Sequence, residues 1–388
     1  MRYKILKPGN IPLQIAEAKE RPLALILNSR QTKFPRGCDG WMTGTARAID
    51  TYTSLGYTIL ASVEMNTYEF ALWYAGSKGY PLAVFIPVWG TDDAREAAAR
   101  VMDDFALNAE KVFFLPCITG IPAQRHKDFW PERDRALALS ADAIAPVSIR
   151  PGGGLEELIA SLPPARVRGD FRIDYEAGSG RGRAGIAQAG SRRFESWDYL
   201  VHWTRSFHTP FPGETRAEYY ASVFADPSGY SHSAAHTLER ILETGTVFAS
   251  SDGIRGGYAG VSMTADQPEL SLSIVRWRSR KDRYTYEPYG IAIARGYMET
   301  LGARPVVYGG DEDYDDMYDE DKPFFQFRGR EGRWVKENEW RIPGDLRLGE
   351  IPKGNAAVVV PDAAASEKTA PLAHKLGMDI VVLNPRII

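Results

Sequence analysis

Three successive glycines mark the segment of the chain best suited to hold an anion. They are Gly152, Gly153 and Gly154, within IRPGGGLEEL, and they connect a strand-like apolar run to a helix-like one. Glycine lets the backbone approach a ligand closely, and the first amides of a helix point unpaired N–H groups at an anion. Arg150 adds a positive charge to the same turn. This combination predicts a site for a nucleotide phosphate.

Two other segments carry polar side chains directly after apolar runs. The first contains Asn28, Ser29 and Arg30, which supply hydrogen-bond donors. The second is EMNTYE, in which Glu69 falls on the first turn of a predicted helix. In open α/β sheets, ligands bind beyond the carboxyl ends of the strands, where these segments lie. We therefore expect all four residues to take part in nucleotide binding.

The glycine turn also resembles a known family. Pro151, the glycines, Glu156 and Glu157 are similar to the proline, glycine and glutamate signature of the SLOG superfamily. That superfamily groups the Rossmann-like domains of lysine-decarboxylase-like cytokinin-activating enzymes and of the DNA-processing protein DprA. The resemblance covers residues 22–162 and implies nucleotide binding, with Glu156 in the site. The phosphoribohydrolases of the family carry threonine where Leu155 stands here, so binding is expected in preference to hydrolysis.

Three short segments of the second half carry polar groups in an order that suits chemistry on a ribosyl nucleotide. HWTRS supplies His202 and Thr204, VSMTA supplies Ser262, and KENEWRI supplies Glu339. A histidine and hydroxyls can hydrogen-bond a ribose and an amide. A carboxylate stabilises the positive charge that develops on a ribose as its glycosidic bond breaks. The set predicts a second site, with NAD or another nucleotide as substrate or ligand.

The same order resembles the triad of ADP-ribosyltransferase-like folds, which have an early His or Arg, a middle Ser or Tyr and a late Glu. The resemblance implies that His202 and Thr204 bind the ribose and amide of NAD. It places Ser262 or Thr264 in the middle position and makes Glu339 the catalytic acid.

Two alternatives stay open for the late carboxylate. Glu337 and Glu339 alternate along one strand, and only the phase of that strand decides which of them faces the cleft. A purely structural interpretation pairs Glu339 with Arg341 and makes Trp340 part of the core. The segment WVKENEWRI also resembles a tryptophan-glutamate-tryptophan-arginine stretch in uncharacterised domains found with phage-defence genes, which implies a role in defence or stress.

The elements that position the first site follow a regular α/β pattern. Short apolar, β-branched runs alternate with amphipathic stretches, which predicts a doubly wound, Rossmann-like parallel sheet covered by helices. The predicted strands are residues 23–28, 57–63, 82–87, 111–116 and 143–149. The predicted helices are residues 43–55, 67–77, 92–105 and 131–140.

The alternation of strand-like and helix-like segments stops after this region. We predict a Rossmann-like domain over residues 1–165, a Gly- and Arg-rich linker over 166–196, and a separate α+β domain over 197–388. In the last domain, short strands near residues 199–204, 260–265, 289–294 and 356–361 are separated by turns. The acidic run at residues 311–321 is predicted to be a solvated loop.

Composition narrows the class of protein. The chain has 388 residues, of which 44% are hydrophobic and 25% charged, as in ordinary globular proteins. Its apolar runs are too short to cross a bilayer, and its start lacks the apolar core of a signal peptide, so we expect a cytoplasmic protein without a membrane partner. Two cysteines form no zinc set, and no metal is expected. Related Rossmann-like domains commonly pair, so a homodimer is expected.

Three functions are consistent with these features. In the first, the N-terminal domain holds a nucleotide while the second domain cleaves or transfers from NAD. In the second, the protein is a non-catalytic nucleotide sensor. In the third, Arg150 and Glu156 serve a phosphoribohydrolase in the first domain. A net charge of -3 argues against a generic nucleic-acid binder, although it leaves room for a local basic patch.

Overall fold

The structure is a computed structural model that describes residues 1–7, 9–90, 92–176, 197–227, 229–278, 283–328 and 337–383. The chain divides into two compact units. The first consists of Met1–Arg181 with His208–Ser231, and the second of Gly182–Phe207 with His232–Ile388.

The first unit has the Rossmann-like α/β fold that the sequence predicts. Its strands are β1 (Arg2–Tyr3), β2 (Leu23–Leu27), β3 (Thr58–Ser62), β4 (Leu82–Val88), β5 (Val112–Ile118) and β6 (Ala143–Pro146). Its helices are α1 (Ile11–Ala18), α2 (Gly40–Ser54), α3 (Asn66–Ser77), α4 (Ala94–Asp104), α5 (Trp130–Ser140), α6 (Gly154–Ala160) and α7 (Arg216–Ala225).

The six strands form one parallel sheet in the order β1-β5-β4-β3-β2-β6. All five predicted strands are confirmed, and β1 is an additional strand that pairs with β5. From β2 the chain winds outward through β3, β4 and β5 and then returns to place β6 on the other side of β2. The carboxyl ends of β2 and β6 therefore form the topological switch point, where such sheets bind ligands.

The central strands β2 and β4 are apolar and buried over their whole length because helices cover both faces of the sheet. Ile26 and Val84 pack on one face against α2 and α3, while Leu27 and Phe85 pack on the opposite face. Alternation of side chains along each strand sends successive apolar residues to opposite faces, so both cores are built from the same short segments.

Helix α7 packs against α3 in the first unit. A Thr215–Glu218 capping box starts this helix, and Tyr220 packs against Trp73 with ring centroids 6.2 Å apart. Arg216 lies 2.7 Å from a carboxylate oxygen of Glu69. The sequence predicts a second domain that begins at residue 197. Residues 208–231 belong instead to the first unit, where aromatic packing and this ion pair hold them.

The start of the predicted linker is also packed against the first unit. Phe171 lies in a short 3-10 helix, Gly169–Phe171, and is buried in the core. Ile173 forms a parallel bridge with Ser148 beyond the end of β6. Two isolated bridges, Val167–Ile144 and Ile173–Ser148, thus hold this segment against β6 and the residues that follow it. Residues 177–196 of the predicted linker lie outside the described residues.

The second unit is α+β, as predicted. Its strands are β7 (Tyr199–Trp203), β8 (Thr246–Val247), β9 (Gly260–Thr264), β10 (Trp277–Arg278), β11 (Arg283–Tyr284), β12 (Gly290–Ala294), β13 (Arg304–Pro305), β14 (Val307–Gly309), β15 (Phe325–Phe327), β16 (Glu339–Pro343), β17 (Leu346–Arg347), β18 (Ala356–Val360) and β19 (Asp379–Val382). Its helices are α8 (Ala234–Thr244), α9 (Pro268–Ser273), α10 (Arg295–Thr300), α11 (Asp311–Asp315) and α12 (Ala363–Lys375).

A seven-stranded mixed sheet dominates this unit, in the order β13-β16-β9-β7-β12-β18-β19. The pair β18–β19 is parallel and the other pairs are antiparallel. Val261, Met263 and Ile342 point into the core that includes Leu238 of α8. The residues that alternate with them on β9 and β16 therefore project from the opposite face of the sheet.

The acidic run differs from its prediction. Residues 311–315 form α11 and not a loop. The Asp313 carboxylate accepts a hydrogen bond of 2.7 Å from the Gly310 amide at the start of the helix, and Arg255 pairs with Asp311. Acidic side chains in a first helical turn are stabilised by the unpaired N–H groups there, which explains why this composition forms a helix.

None of the helices in the described ranges is both long enough and apolar enough to cross a bilayer.

The Glu69–Arg216 pair should make a measurable contribution to the stability of the first unit. We expect Glu69→Gln to lower the free energy of unfolding by about 2 kcal/mol, because it removes the charge that faces a half-buried guanidinium. Urea denaturation measures this. Asp103→Asn, an exposed change near Asp104, should alter stability by less than about 0.5 kcal/mol. Equal effects of the two substitutions would contradict the assignment.

Candidate functional site

At the switch point of the first unit, Asn28 joins β2 to β6. Its side-chain amide donates to Thr45 Oγ1 at 2.9 Å, and its carbonyl oxygen accepts from the Ser148 amide at 3.1 Å. Asn28 is buried, at 3% exposure. Both ends of this side chain are therefore used to hold the two strands together.

Ser29 and Arg150 meet across the same gap. The Arg150 amide donates to Ser29 Oγ at 2.9 Å, and the Ser29 amide donates to the Ser148 carbonyl oxygen at 2.8 Å. These contacts fix where the glycine turn leaves β6. The Arg150 side chain is exposed, and its guanidinium has no ion-pair partner among the described residues.

The glycine turn has the predicted form, but the carboxylate of Glu156 already occupies its anion-binding position. Gly152 adopts a φ of 67°, which favours glycine, and Gly153 precedes α6 as its N-cap. The Gly152 amide donates to Glu156 Oε2 at 2.8 Å, while Glu156 Oε1 lies 3.3 Å from Arg172. A phosphate bound at this amide would have to displace the Glu156 carboxylate. Gly154 has open space where a side chain would begin.

The structure uses Glu69 differently from its predicted role. Glu69 is 6% exposed, and its carboxylate accepts hydrogen bonds from the Glu64 amide, Arg216 and the Tyr220 hydroxyl. All these groups belong to the protein. Glu69 thus anchors α7 on α3 instead of presenting a carboxylate to a ligand.

Arg30 remains available at the same edge of the sheet. Its side chain is exposed, with its guanidinium carbon 5.8 Å from the centre of the Trp130 ring. The described residues contain no ion-pair partner for it. A guanidinium over an aromatic face is weakly stabilised and keeps its charge.

In the second unit, the candidate site lies where β7 and β9 separate. The two strands share the single ladder pair Val201–Thr264. Beyond that pair, His202 Nδ1 lies 2.9 Å from the carbonyl oxygen of Ser262. Because a carbonyl only accepts, Nδ1 carries the proton and Nε2 is left as an acceptor in the neutral ring. Burial lowers the pKa of His202, which favours the neutral ring.

Ser262 and Glu339 meet on the adjacent strands β9 and β16. Ser262 Oγ donates to Glu339 Oε1 at 2.8 Å, and Arg341 Nε donates to the same oxygen at 2.8 Å. Arg341 is 3% exposed and also donates to the Phe325 carbonyl oxygen at 2.8 Å. Glu339 Oε2 receives no hydrogen bond from the described residues.

Two other predicted site residues, Thr204 and Thr264, hydrogen-bond to the backbone of the protein. The Thr204 hydroxyl is buried, 2.8 Å from the carbonyl oxygen of Ala234 and 3.0 Å from that of Tyr289. The Thr264 hydroxyl donates to the Glu337 carbonyl oxygen at 2.8 Å. Of the hydroxyls proposed for the site, Ser262 therefore contacts the carboxylate, while Thr204 and Thr264 brace the backbone beside it.

Both candidate carboxylates lie near the site, in different surroundings. Glu337 precedes β16 and lies 3.5 Å from Arg276, whereas Glu339 is held by Ser262 and Arg341. Burial, followed by the negative charge of Glu339, raises the pKa of Glu337 to about 7. Glu337 can therefore gain or lose a proton near neutral pH.

This arrangement suits the recognition of a hydroxyl and the stabilisation of a cation. Glu339 Oε2 is an acceptor to which a ribose hydroxyl can donate. His202 pairs with Ile291 of β12, so its side chain projects from the face opposite to that of Ser262 and Glu339 and, among the described residues, reaches only the Ser262 carbonyl oxygen. A carboxylate fixed by two donors stabilises nearby positive charge without reorganising. The geometry is thus compatible with a ribose that develops oxocarbenium character.

The sequence did not reveal every residue around this site. Arg341 was considered only as a structural partner, and Tyr308 was not considered at all. Burial, followed by the charge of Glu339, raises the pKa of Tyr308, which places that ring beside the carboxylates. Tyr308 lies on β14, which pairs with β15. No spacing rule links residue 308 to residue 339, so only the fold could reveal this neighbour.

Within the part of the chain that is described, His, Cys, Asp and Glu side chains form no group of three that could hold a metal ion. His236 Nδ1 lies 2.9 Å from Ser233 Oγ at the start of α8.

Comparison with known proteins gives little beyond this geometry. No family model matches the chain, and no curated protein matches it. A solved structure of DNA processing protein A from Helicobacter pylori, described for its single-stranded DNA binding mode, is similar at 13% identity with a TM-score of 0.27. The match covers 38% of this chain and 62% of that one, less than two thirds of its length. At this score we draw nothing from it about fold or ligand.

The raised pKa of Glu337 predicts a pH-dependent stability. Between about pH 4.5 and about pH 7 the folded state holds a proton that the unfolded state releases, so stability should fall as pH rises through this window. Relative to wild type, Glu337→Gln should gain about 2–3 kcal/mol between about pH 4 and about pH 8. Urea denaturation across this range measures the difference, and the exposed Glu299→Gln serves as the control. A constant difference would refute the assignment.

Proposed function

We propose that the second unit cleaves the N-glycosidic bond of NAD or a related ribosyl nucleotide, with water or another acceptor receiving the ribosyl group. The observation that supports this most directly is the Glu339 carboxylate. Its Oε1 accepts hydrogen bonds of 2.8 Å from Ser262 Oγ and Arg341 Nε, while Oε2 receives none from the described residues.

Each residue has a distinct role in this proposal. His202 is a positioning residue, because its Nδ1 donates to the Ser262 carbonyl oxygen and so holds the backbone of β9 beside Glu339. Glu339 Oε2 accepts from a ribose hydroxyl and faces the charge that develops at C1′. Ser262 and Arg341 are positioning residues, because they hold Oε1 and thereby direct Oε2 toward the substrate.

The chemistry balances without a metal or redox group. The bond between C1′ and the nicotinamide nitrogen breaks, and its electron pair leaves with the ring, which becomes neutral nicotinamide. The oxocarbenium ion at C1′ then takes up the oxygen of water, which releases a proton. In this proposal Glu337, whose pKa is raised to about 7, receives the proton.

Nicotinamide release tests the proposal directly. Purified protein incubated with NAD should release nicotinamide, and Glu339→Gln should lower the rate by about 10²-fold or more, because the charge that stabilises the cation is lost. Ser262→Ala should give a smaller loss, since it disturbs only the direction of the carboxylate. Chromatography measures nicotinamide.

The control is Glu299→Gln, which changes an exposed carboxylate on α10 of the same unit. It should release nicotinamide at the wild-type rate. The proposal fails if wild-type protein releases none across a panel of acceptors, or if Glu339→Gln releases it as fast as wild type.

A second candidate function is nucleotide binding by the first unit. It is favoured by two exposed guanidinium groups, those of Arg30 and Arg150, beside the switch point, neither with an ion-pair partner among the described residues. Positive charge at the carboxyl edge of a parallel sheet suits a phosphate. A sensor would need no more than this. The contacts of Glu156 with Gly152 and Arg172 give no support to a phosphoribohydrolase.

Calorimetry with the four common nucleoside monophosphates tests this second function. We expect binding that weakens by about tenfold or more in Arg150→Gln, which removes a charged contact. Arg95→Gln, an exposed change on α4, should bind as wild type does. Absence of heat with every nucleotide, or equal loss in both variants, would count against a nucleotide site in the first unit.

A further inference from the structure

Four arginines gather beside the candidate site of the second unit. The arginine cluster consists of Arg205, two residues beyond β7, together with Arg276, Arg278 and Arg283 on and beside the β10–β11 hairpin. The proposed bond cleavage uses none of them. Their arrangement therefore needs a separate physical explanation.

The hairpin places two like charges opposite each other. β10 and β11 pair so that Arg278 stands directly across from Arg283. Like charges in directly opposite positions destabilise a strand pair. Acidic groups also lie near the cluster: Arg205 is 3.7 Å from Asp252, Arg276 is 3.5 Å from Glu337, and the charge of Glu337 acts on Arg278 as well.

Arg283 is unusual among the buried arginines. Three arginines are buried in the described part of the chain, and two of them have carboxylate partners at 3.0 Å or less, Arg133 with Asp134 and Arg341 with Glu339. Arg283 is 8% exposed, and its guanidinium makes no hydrogen bond or ion pair with any described residue. Burial and the positive charge of Arg205 lower the pKa of Arg283 to about 10, while the negative charge of Asp252 acts in the opposite direction, so Arg283 stays charged at neutral pH.

The cluster adjoins the candidate site through short contacts. Glu287, which follows β11, accepts hydrogen bonds from the Ser206 hydroxyl at 2.7 Å and amide at 3.1 Å, and its own amide donates to the Thr204 carbonyl oxygen. The hairpin is thus tied to the end of β7, the strand that carries His202. The charge of Arg205 lowers the pKa of His202, which places these two side chains near each other.

We propose that the arginine cluster binds the diphosphate of a dinucleotide substrate, with Arg283 as its principal contact. This inference rests on the proposed function, in which the ribose next to that diphosphate lies at Glu339. A diphosphate supplies negative charge beside Arg283, which makes no ion pair with a described residue, and the planar guanidinium matches pairs of phosphate oxygens. The cluster then distinguishes dinucleotides from nucleosides, while Glu339 acts on the bond.

The steady-state kinetics of full-length Arg283→Gln test this division of roles. The KM for NAD should rise by about tenfold or more with kcat changed by less than about twofold, because the lost contact lies away from the breaking bond. With nicotinamide riboside, which has no phosphate, wild type and Arg283→Gln should be equally active. Arg347→Gln, an exposed change in the same unit, should match wild type with both substrates. An equal loss with both substrates would overturn the proposal.

A measurement that needs no turnover separates this inference from the proposed function. Inorganic pyrophosphate should bind wild type and Glu339→Gln equally in calorimetry, and it should bind Arg283→Gln about tenfold more weakly. If pyrophosphate binding depends on Arg283 while NAD is not cleaved, the anion site stands and the proposed function fails. Equal pyrophosphate binding by wild type and Arg283→Gln overturns the anion site even if NAD is cleaved.

Thermal unfolding shows whether the Arg283→Gln variant is still folded. Removing a buried, unpaired charge should raise the Tm of Arg283→Gln without ligand, and the Tm increase produced by pyrophosphate should vanish. Arg283→Lys keeps the charge and should retain most of that increase. A lower Tm in Arg283→Gln, or Arg283-dependent binding of a single-stranded oligonucleotide in preference to pyrophosphate, would contradict a diphosphate site.

Discussion

The ion pair between Arg341 and Glu339 is the interaction on which the candidate site depends. Arg341 is almost fully buried, and a buried guanidinium is tolerated only with a charge partner and filled hydrogen bonds. Glu339 supplies the charge at 2.8 Å, and the Phe325 carbonyl oxygen and Gln326 Oε1 accept the other bonds. The same contact that makes the arginine tolerable holds one oxygen of Glu339 in place and leaves the other for a ligand. The structural and functional interpretations of this pair are therefore compatible.

The separation of β7 and β9 also depends on satisfying a buried polar group. Once the ladder ends at Val201–Thr264, the Ser262 carbonyl needs another donor, and His202 provides it through its ring. A side chain thus replaces a main-chain hydrogen bond, and this substitution sets both the ring orientation and the proton position of His202. Thr264 and Thr204 satisfy further carbonyl groups nearby. Side chains therefore satisfy the backbone groups that strand pairing leaves open here.

The sequence predicted the regular parts of the fold well, for a clear reason. Buried parallel strands must be apolar over their whole length, so runs such as Leu23–Leu27 are visible without any long-range information. The order of His202, Ser262 and Glu339 was also visible, because each lies on a strand of the same sheet. The role of Glu69 could not be predicted, because its partner Arg216 is far away in sequence. The sequence pattern also assigned Arg216 to the second domain. Burial against a distant residue leaves no local pattern.

The buried arginines show how such distant constraints can be used once the fold is known. Arg133 and Arg341 each satisfy the rule that a buried charge requires an opposite charge nearby. Arg283 makes no ion pair with a described residue, although the charge of Asp252 acts on it, and it stands directly across a strand pair from Arg278. Like charges in this position do not stabilise the strand pair. The hydrogen bonds between Glu287 and Ser206 connect the hairpin to the end of β7. The proposed diphosphate would therefore add the anion that the paired arginines Arg133 and Arg341 receive from the protein itself.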